Sequence, residues 1–199
     1  DTSLSGLGNK WSKSVTEPSQ TIEFLGMIID SMEMKVYLPE AKCKAIVQKC
    51  KHMLESLQVS IHDLASLIGT LNATAEAVIP ASLYVRELQM FKTKSLLKTT
   101  QYRSVITLTP ECKNEMKWWA LHLEKWNGKC IISPNPDLII ESDASSKQGW
   151  GAVDVAQNIR IGGPRDETEK ALHINALELK AADFGLKSLT KVKTDIHVH

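Results

Sequence analysis

No apolar run in the chain approaches the length that crosses a bilayer, and the first residues lack the charged-then-apolar pattern of a secretory leader. These absences predict an intracellular protein, cytoplasmic or nuclear, with no membrane partner. Cysteine is scarce. Cys43, Cys50, Cys112 and Cys130 show no Cys-x-x-Cys spacing and no histidine at zinc-finger distance, which argues against a disulfide framework and a structural zinc. Cys43 and Cys50 lie two turns apart on an apolar helical face and fit buried thiols in a reducing compartment. An excess of either charge is also missing: 24 Lys plus Arg stand against 23 Asp plus Glu, a net of +1, so the whole molecule carries no polyelectrolyte signal. The distribution is less even, because residues 1–130 hold 16 basic and 13 acidic side chains and the remainder holds 8 and 10. That asymmetry permits nucleic-acid contact in the first part without requiring it. A phosphate cradle is excluded too, since Gly162-Gly163-Pro164 is not followed by Lys and Ser or Thr at P-loop spacing and reads as a loop.

At 199 residues and 43% hydrophobic content, the chain can bury one large core or two small ones. Residues 1–20, rich in Ser, Thr, Gly and Lys, read as a flexible lead. Thr21 to Ile29 is β-rich, and Met32 to Leu38 alternates; with Asp30-Ser31 between them they predict a hairpin over 21–38, in which Gly26 marks close backbone approach or a bulge. Pro39 occupies the favoured first position of a helix whose apolar stripe is Cys43, Ile46, Val47, Cys50, Met53, Leu54 and Leu57. Its Lys42, Lys44, Lys49 and Lys51 make it basic, as a solvated face ordinarily is. Ser60 with Asp63 predicts the next helix start, and the apolar spacing then runs to Pro80. A further helix is expected from about 81 to 97 with Leu83, Tyr84, Leu88 and Phe91 inward, followed by a polar connection from Lys92 to Leu108. Thr109 and Pro110 open another helix, with Cys112, Met116, Trp119, Leu123 and Trp126 inward. Trp118 and Trp119 are open to two readings, base-stacking platforms or core, with core favoured for Trp119. Residues 39–133 thus form a helical region, and prolines at 134 and 136 place a domain boundary near Pro134.

From Asp137 to Leu189 the pattern changes. An apolar strand carries Asp143, two short strands follow (Gly149 to Val155, Asn158 to Ile161), and a helix carries Glu178. A lone strand Asp before Ser is ordinarily a turn or cap residue. Glu178 shares a small-residue helical face with Ile174, Ala181, Ala182 and Gly185, where a carboxylate is costly unless paired or bound to metal. His173 reads as a cap; His197 and His199 alternate on a last strand beginning at Asp195, with no third ligand beside them.

The phrase Glu141-Ser142-Asp143-Ala144-Ser145, the Gly-rich hairpin after it and His173-Ile174-Asn175-Ala176-Leu177-Glu178-Leu179-Lys180-Ala181 together resemble the first half of a retroelement ribonuclease H domain, most closely that of DIRS-type elements. Phe24-Leu25-Gly26, the basic helix after Pro39, and Ser66 to Leu71 with Ala77 to Pro80 resemble the palm end and thumb of the matching reverse transcriptase. The resemblance implies an α/β (α+β) protein: a β-hairpin and a thumb-like helical bundle, then a truncated ribonuclease H-like mixed sheet with a packed helix over 134–199. It implies a parent that is an RNA-directed DNA polymerase with ribonuclease activity on RNA–DNA hybrids. Asp143 and Glu178 would be catalytic and hold Mg²⁺ (or Mn²⁺), while Lys42, Lys44, Lys49 and Lys51 would face a primer-template duplex or hybrid. No Tyr-x-Asp-Asp motif occurs, and only two of the ribonuclease acids are matched, so this chain alone is expected to be inactive or very weak. The alternative is a host-retained, non-catalytic nucleic-acid-binding or interaction module. A recombinase or transposase of related fold is disfavoured by Glu178 lying on the helix.

Overall fold

A two-residue hairpin turn of type I′ needs positive φ at both central residues, which glycine supplies freely and leucine rarely. In the computed structural model, which describes residues 17–99, 101–132, 135–145, 147–169 and 171–190, Leu25 (φ 51°) and Gly26 (φ 73°) make such a turn. It cuts the expected strand Thr21 to Ile29 into β1 (Thr21–Phe24) and β2 (Met27–Asp30), and the expected second strand shortens to β3 (Lys35–Tyr37). The hairpin is therefore an antiparallel meander, and Gly26 is a turn residue rather than a bulge. Asp30 ends β2 by accepting hydrogen bonds from the N–H groups of Met32 and Glu33 (2.8 and 2.9 Å), a side-chain turn that competes with the ladder.

The chain divides into two compact units, Asp1–Ser133 and Pro134–His199. In the first, α1 (Glu40–Glu55) follows Pro39, which sits at the extended cap position, one residue before the position expected for it. Cys43, Ile46, Cys50 and Met53 are buried as their spacing predicts; Leu57 is 89% exposed, because the helix has ended at Glu55. After β4 (Val59–Ser60), helix α2 (Ile61–Asn72) starts where Ser60 accepts the Asp63 N–H at 3.0 Å. It does not continue to Pro80. Thr74, fully buried, turns back onto the Leu71 carbonyl, Val78 bridges to Asn127, and the Ala77 carbonyl accepts the Gly128 N–H at 2.9 Å. Backbone groups that a longer helix would use internally are satisfied by a distant segment instead.

The third helix also differs from expectation. A 3₁₀ turn, Leu83–Val85, leaves Leu83 exposed, and α3 (Arg86–Lys98) takes in the start of the segment read as connection. Then β5 (Val105–Ile106) pairs with β4, and α4 (Pro110–Trp126) opens with the Thr109 hydroxyl accepting the Cys112 N–H. Cys112, Met116, Trp119 and Leu123 are buried, but Trp126, in the last turn, is 40% exposed. Finally β6 (Lys129–Cys130) joins the meander, giving the sheet order β1-β2-β3-β6. Asn127 fixes that return: its side chain accepts from the Leu38 N–H (2.8 Å) and donates to the Leu38 carbonyl (3.0 Å), imitating a strand partner.

One buried carboxylate in this unit has a structural task. No side chain at Val85 caps α3, and Glu115 of α4 does so instead, accepting the N–H groups of Glu87 (2.9 Å) and Leu88 (3.0 Å). Burial pushes its carboxyl above the ordinary range, and these two N–H donors hold it down only in part. Glu115→Ala should therefore lower stability by about 1–3 kcal/mol, the penalty for orphaning buried donors. A raised folded pKa means that the stabilising contribution of the neutral carboxyl is complete below the unfolded value and is lost as pH rises through the folded one. Urea midpoints measured against pH should fall over that window for the native chain relative to Glu115→Gln, which does not titrate. Parallel profiles would refute the assignment.

In the second unit, β7 (Ile140–Ser145), β8 (Gly149–Asp154) and β9 (Ile159–Gly163) form an antiparallel sheet in that order. The loop signal Gly162-Gly163 is thus the end of a strand: a Cβ on Gly163 would press on the Trp150 ring, so glycine allows the ring to lie over the ladder. Helix α5 (Ile174–Leu189) covers one face through Leu177, Ala181 and Gly185. Gly185 makes this possible, since a Cβ there would lie 2.8 Å from the Ala152 methyl. The result is a mixed α/β chain, with a β-meander and helical region followed by a small sheet with a packed helix, the order of a ribonuclease H-like topology.

Candidate functional site

Strand alternation decides where Asp143 points. Ala144 packs with Leu177 and Ala181, and Ile140 approaches Gly185, so the even-numbered residues of β7 face α5. Asp143, with Glu141 and Ser145, therefore faces the other way. On that open face the neighbours across the ladder are Gly151 and then Gly162, with Val153 and Arg160 further along. Glycines leave a shallow trough of about 580 Å³, edged by Asp143, Gln148 and Arg160. Asp143 is exposed, and its Oδ1 accepts the Ala144 N–H at 2.9 Å, which orients the carboxylate along the strand. Among the described residues β7 pairs on one side only.

Glu178 is exposed as well. The place expected for it in the buried stripe belongs to Leu177, one residue earlier, because Leu177, Ala181 and Gly185 at four-residue spacing define the contact face. A free-standing carboxylate there carries no burial penalty, which removes the physical argument that burial alone demanded a metal. His173 is the cap expected, its Nδ1 accepting the Asn175 N–H. Beside this helix lies a further network, outside the sequence-based expectations. Glu169, 4% exposed, receives Lys180 Nζ at 2.8 Å, and Asp166 and Glu169 each accept the other's backbone N–H. Lys180 holds the Glu169 carboxyl below the ordinary range. The signal available was Asp166 followed three residues later by an acid, a capping-box spacing.

A hard divalent cation takes oxygen donors such as the exposed carboxylates of Asp143 and Glu178 and keeps most of its waters, and β7 turns Asp143 to the face opposite α5, the helix that carries Glu178. Among the described residues, however, no three His, Cys, Asp or Glu side chains gather into one group. Residues 195, 197 and 199 lie outside the described residues.

The lysines of α1 divide into two rows, because residues seven apart fall within about 20° of each other. Lys42 and Lys49 flank one side of the buried stripe, half-buried; Lys44 and Lys51 are exposed on the outer side. Lys42 donates to the Gly26 carbonyl (3.1 Å) and Lys49 to the Ser66 hydroxyl (2.9 Å), neutral partners that position the charge without cancelling it. Lys44 is different, paired at 2.5 Å with Glu40. That hydrogen bond and charge lower the Glu40 pKa and raise that of Lys44. Trp119 is wholly buried and Trp118 stacks on Tyr84 (centroids 3.9 Å apart, planes 6°), so Trp119 belongs to the core and one face of Trp118 is already covered. Among the described residues no helix is long and apolar enough to cross a membrane.

No family model matches the chain, and no curated protein matches it. Among solved structures it is similar to foamy viral protease-reverse transcriptase. The dRH form in complex with double-stranded DNA gives a TM-score of 0.42 at 15% identity, over 86% of this chain and 29% of that one. The complex with RNA/DNA hybrid gives 0.42 at 17% identity, over 86% and 22%. A further complex with double-stranded DNA gives 0.41 at 15% identity, over 88% and 39%. The chain thus spans well under half the length of each.

Proposed function

We propose that this chain is part of a retroelement polyprotein of DIRS-type resemblance, carrying the palm end, thumb, connection and first part of ribonuclease H, and that it binds primer-template duplex or RNA–DNA hybrid. The observation that supports this best is the strand-strand-strand-helix order in which an exposed Asp143 on β7 is followed by an exposed Glu178 on α5. Asp143 and Glu178 would hold Mg²⁺, which when bound would supply an activated water and charge neutralisation for phosphodiester cleavage. Two carboxylates alone make a weak site, so the chain by itself is expected to bind hybrid without cutting it. The alternative, a non-catalytic binding module, rests on Lys42, Lys49 and Lys51, which make no ion pair among the described residues.

Hybrid affinity measured by fluorescence anisotropy across a salt series tests the binding claim. Each phosphate contact removed should reduce the slope of log K against log salt by about 0.9. Neutralising Lys42, Lys49 or Lys51 to Gln should do so, while Lys44→Gln should change little, since Glu40 already cancels it. Equal effects at all four positions, or none, would count against the assignment. In a longer polyprotein containing the remaining acids, Asp143→Asn should abolish hybrid cleavage and leave binding intact; cleavage that survives it would eliminate the metal role.

A further inference from the structure

From Leu88 through Pro110 the sequence holds Lys92, Lys94, Lys98 and Arg103 and no acid. Among the described residues none of these four cations has an ion-pair partner. Lys94 and Lys98, four apart, lie on one face of α3 about 6 Å along its axis. The chain then enters a turn closed by the Ser104 N–H on the Gln101 carbonyl (3.0 Å) and by the Thr99 and Ser104 hydroxyls (3.0 Å). This turn is fastened to α2, whose His62 and Ile61 N–H groups donate to the carbonyls of Tyr102 (2.8 Å) and Ser104 (3.0 Å). The β4–β5 pairing holds it from the far side.

Two side chains stand at the tip of that anchored turn, Tyr102 and Arg103, both exposed. The Tyr84 and Trp118 rings stack on each other, which covers one face of each; Tyr102 has no ring partner among the described residues and is 48% exposed. Asp63, which follows His62 on α2, has its carboxylate engaged by the Ser60 hydroxyl and by His62.

We propose that the exposed Tyr102-Arg103 tip and the Lys94-Lys98 row of α3 form a binding surface for single-stranded nucleic acid, separate from the lysines of α1. An exposed aromatic ring carried on a turn whose backbone is anchored can stack only on a base that is not already stacked in a duplex, and the flanking cations answer the phosphates on either side. This surface does not rest on the metal reading of Asp143 and Glu178.

The test uses the full chain with fluorescein-labelled oligothymidylate and a blunt duplex of equal length, by anisotropy. Tyr102→Leu should weaken single-strand binding about 5- to 100-fold, while Tyr102→Phe, which keeps the ring, should bind as the native chain does. Lys98→Gln should flatten the salt slope for the single strand by about 0.7. Duplex binding should be unchanged in all three. Urea midpoints equal to that of the native chain confirm that each variant is folded. Full single-strand affinity in Tyr102→Leu, or equal losses for single strand and duplex, would overturn the proposal.

Discussion

Gly149→Ala will abolish the cooperative folding of the β7–β9 sheet. Gly149 opens β8 at φ 124°, a conformation for which a side chain alone costs about 1–3 kcal/mol. In addition, the new methyl would be driven into the Gly163 carbonyl, a backbone atom that cannot swing aside. Relief requires β8 and β9 to part at Trp150↔Gly163, next to the ring that joins the sheet to α5 through Phe184 (centroids 5.0 Å apart). The buried core there is small, Ala144, Leu177 and Ala181 with Trp150 and Ile174 packed against it, so little binding energy is available to absorb the strain. Amide hydrogen exchange reads the result: β8 and β9 should lose protection while α1, α2 and α4 keep theirs. Native protection in β8 and β9 of the variant would show that the close approach is not a requirement of the fold.

The other large effect is expected at Trp119. Trp119→Ala empties the middle of the first unit's core, where the ring is 0% exposed, meets Trp118 edge-on (5.4 Å, 90°) and donates from Nε1 to the Tyr84 carbonyl at 2.7 Å. Loss of a buried Trp side chain costs about 3–5 kcal/mol, set against a total of about 5–15 kcal/mol for a typical domain. The hydrogen bond separates two parts of that sum. Trp119→Phe retains an aromatic body but leaves Tyr84 without its donor, and should lose less than Trp119→Ala, with about 0.5–1.5 kcal/mol of that loss due to the bond. Urea denaturation at constant m-value distinguishes these outcomes. Near-equal midpoints for the native chain and Trp119→Ala would mean that the base-stacking reading of this residue had been set aside too soon.

Several local features could be read from the chain without its fold. Ser60 with Asp63, and Thr109 with Pro110, start α2 and α4 because a cap acts within a single turn of its own helix. The stripes Cys43 to Met53 and Cys112 to Leu123 are buried because periodicity is a property of the helix alone. The order of strands and helix that brings Asp143 and Glu178 into one unit was legible for the same reason, through alternation, turn glycines and helical spacing. The phrases around the two acids carried the resemblance; spacing could say nothing of which face of a sheet each would occupy.

Tertiary contacts decided the rest. Asn127 reaches Leu38 across 89 residues, and Val78 bridges to Asn127, so a helix with every local reason to run on to Pro80 stops at Asn72. Glu115 caps a helix 27 residues away from itself in sequence, which no reading of α3 or α4 separately could show. Glu178 lies outside the buried stripe because the Ala152 methyl and the Ile140 side chain select Gly185, and with it Ala181 and Leu177, as the line of closest approach. Which lysines of α1 remain available to an anion likewise depends on Gly26, Glu40 and Ser66 lying beside them. Propensity and period are set by neighbours within a turn or two; burial, pairing and the face a charge presents are set by segments that meet only when the chain has folded.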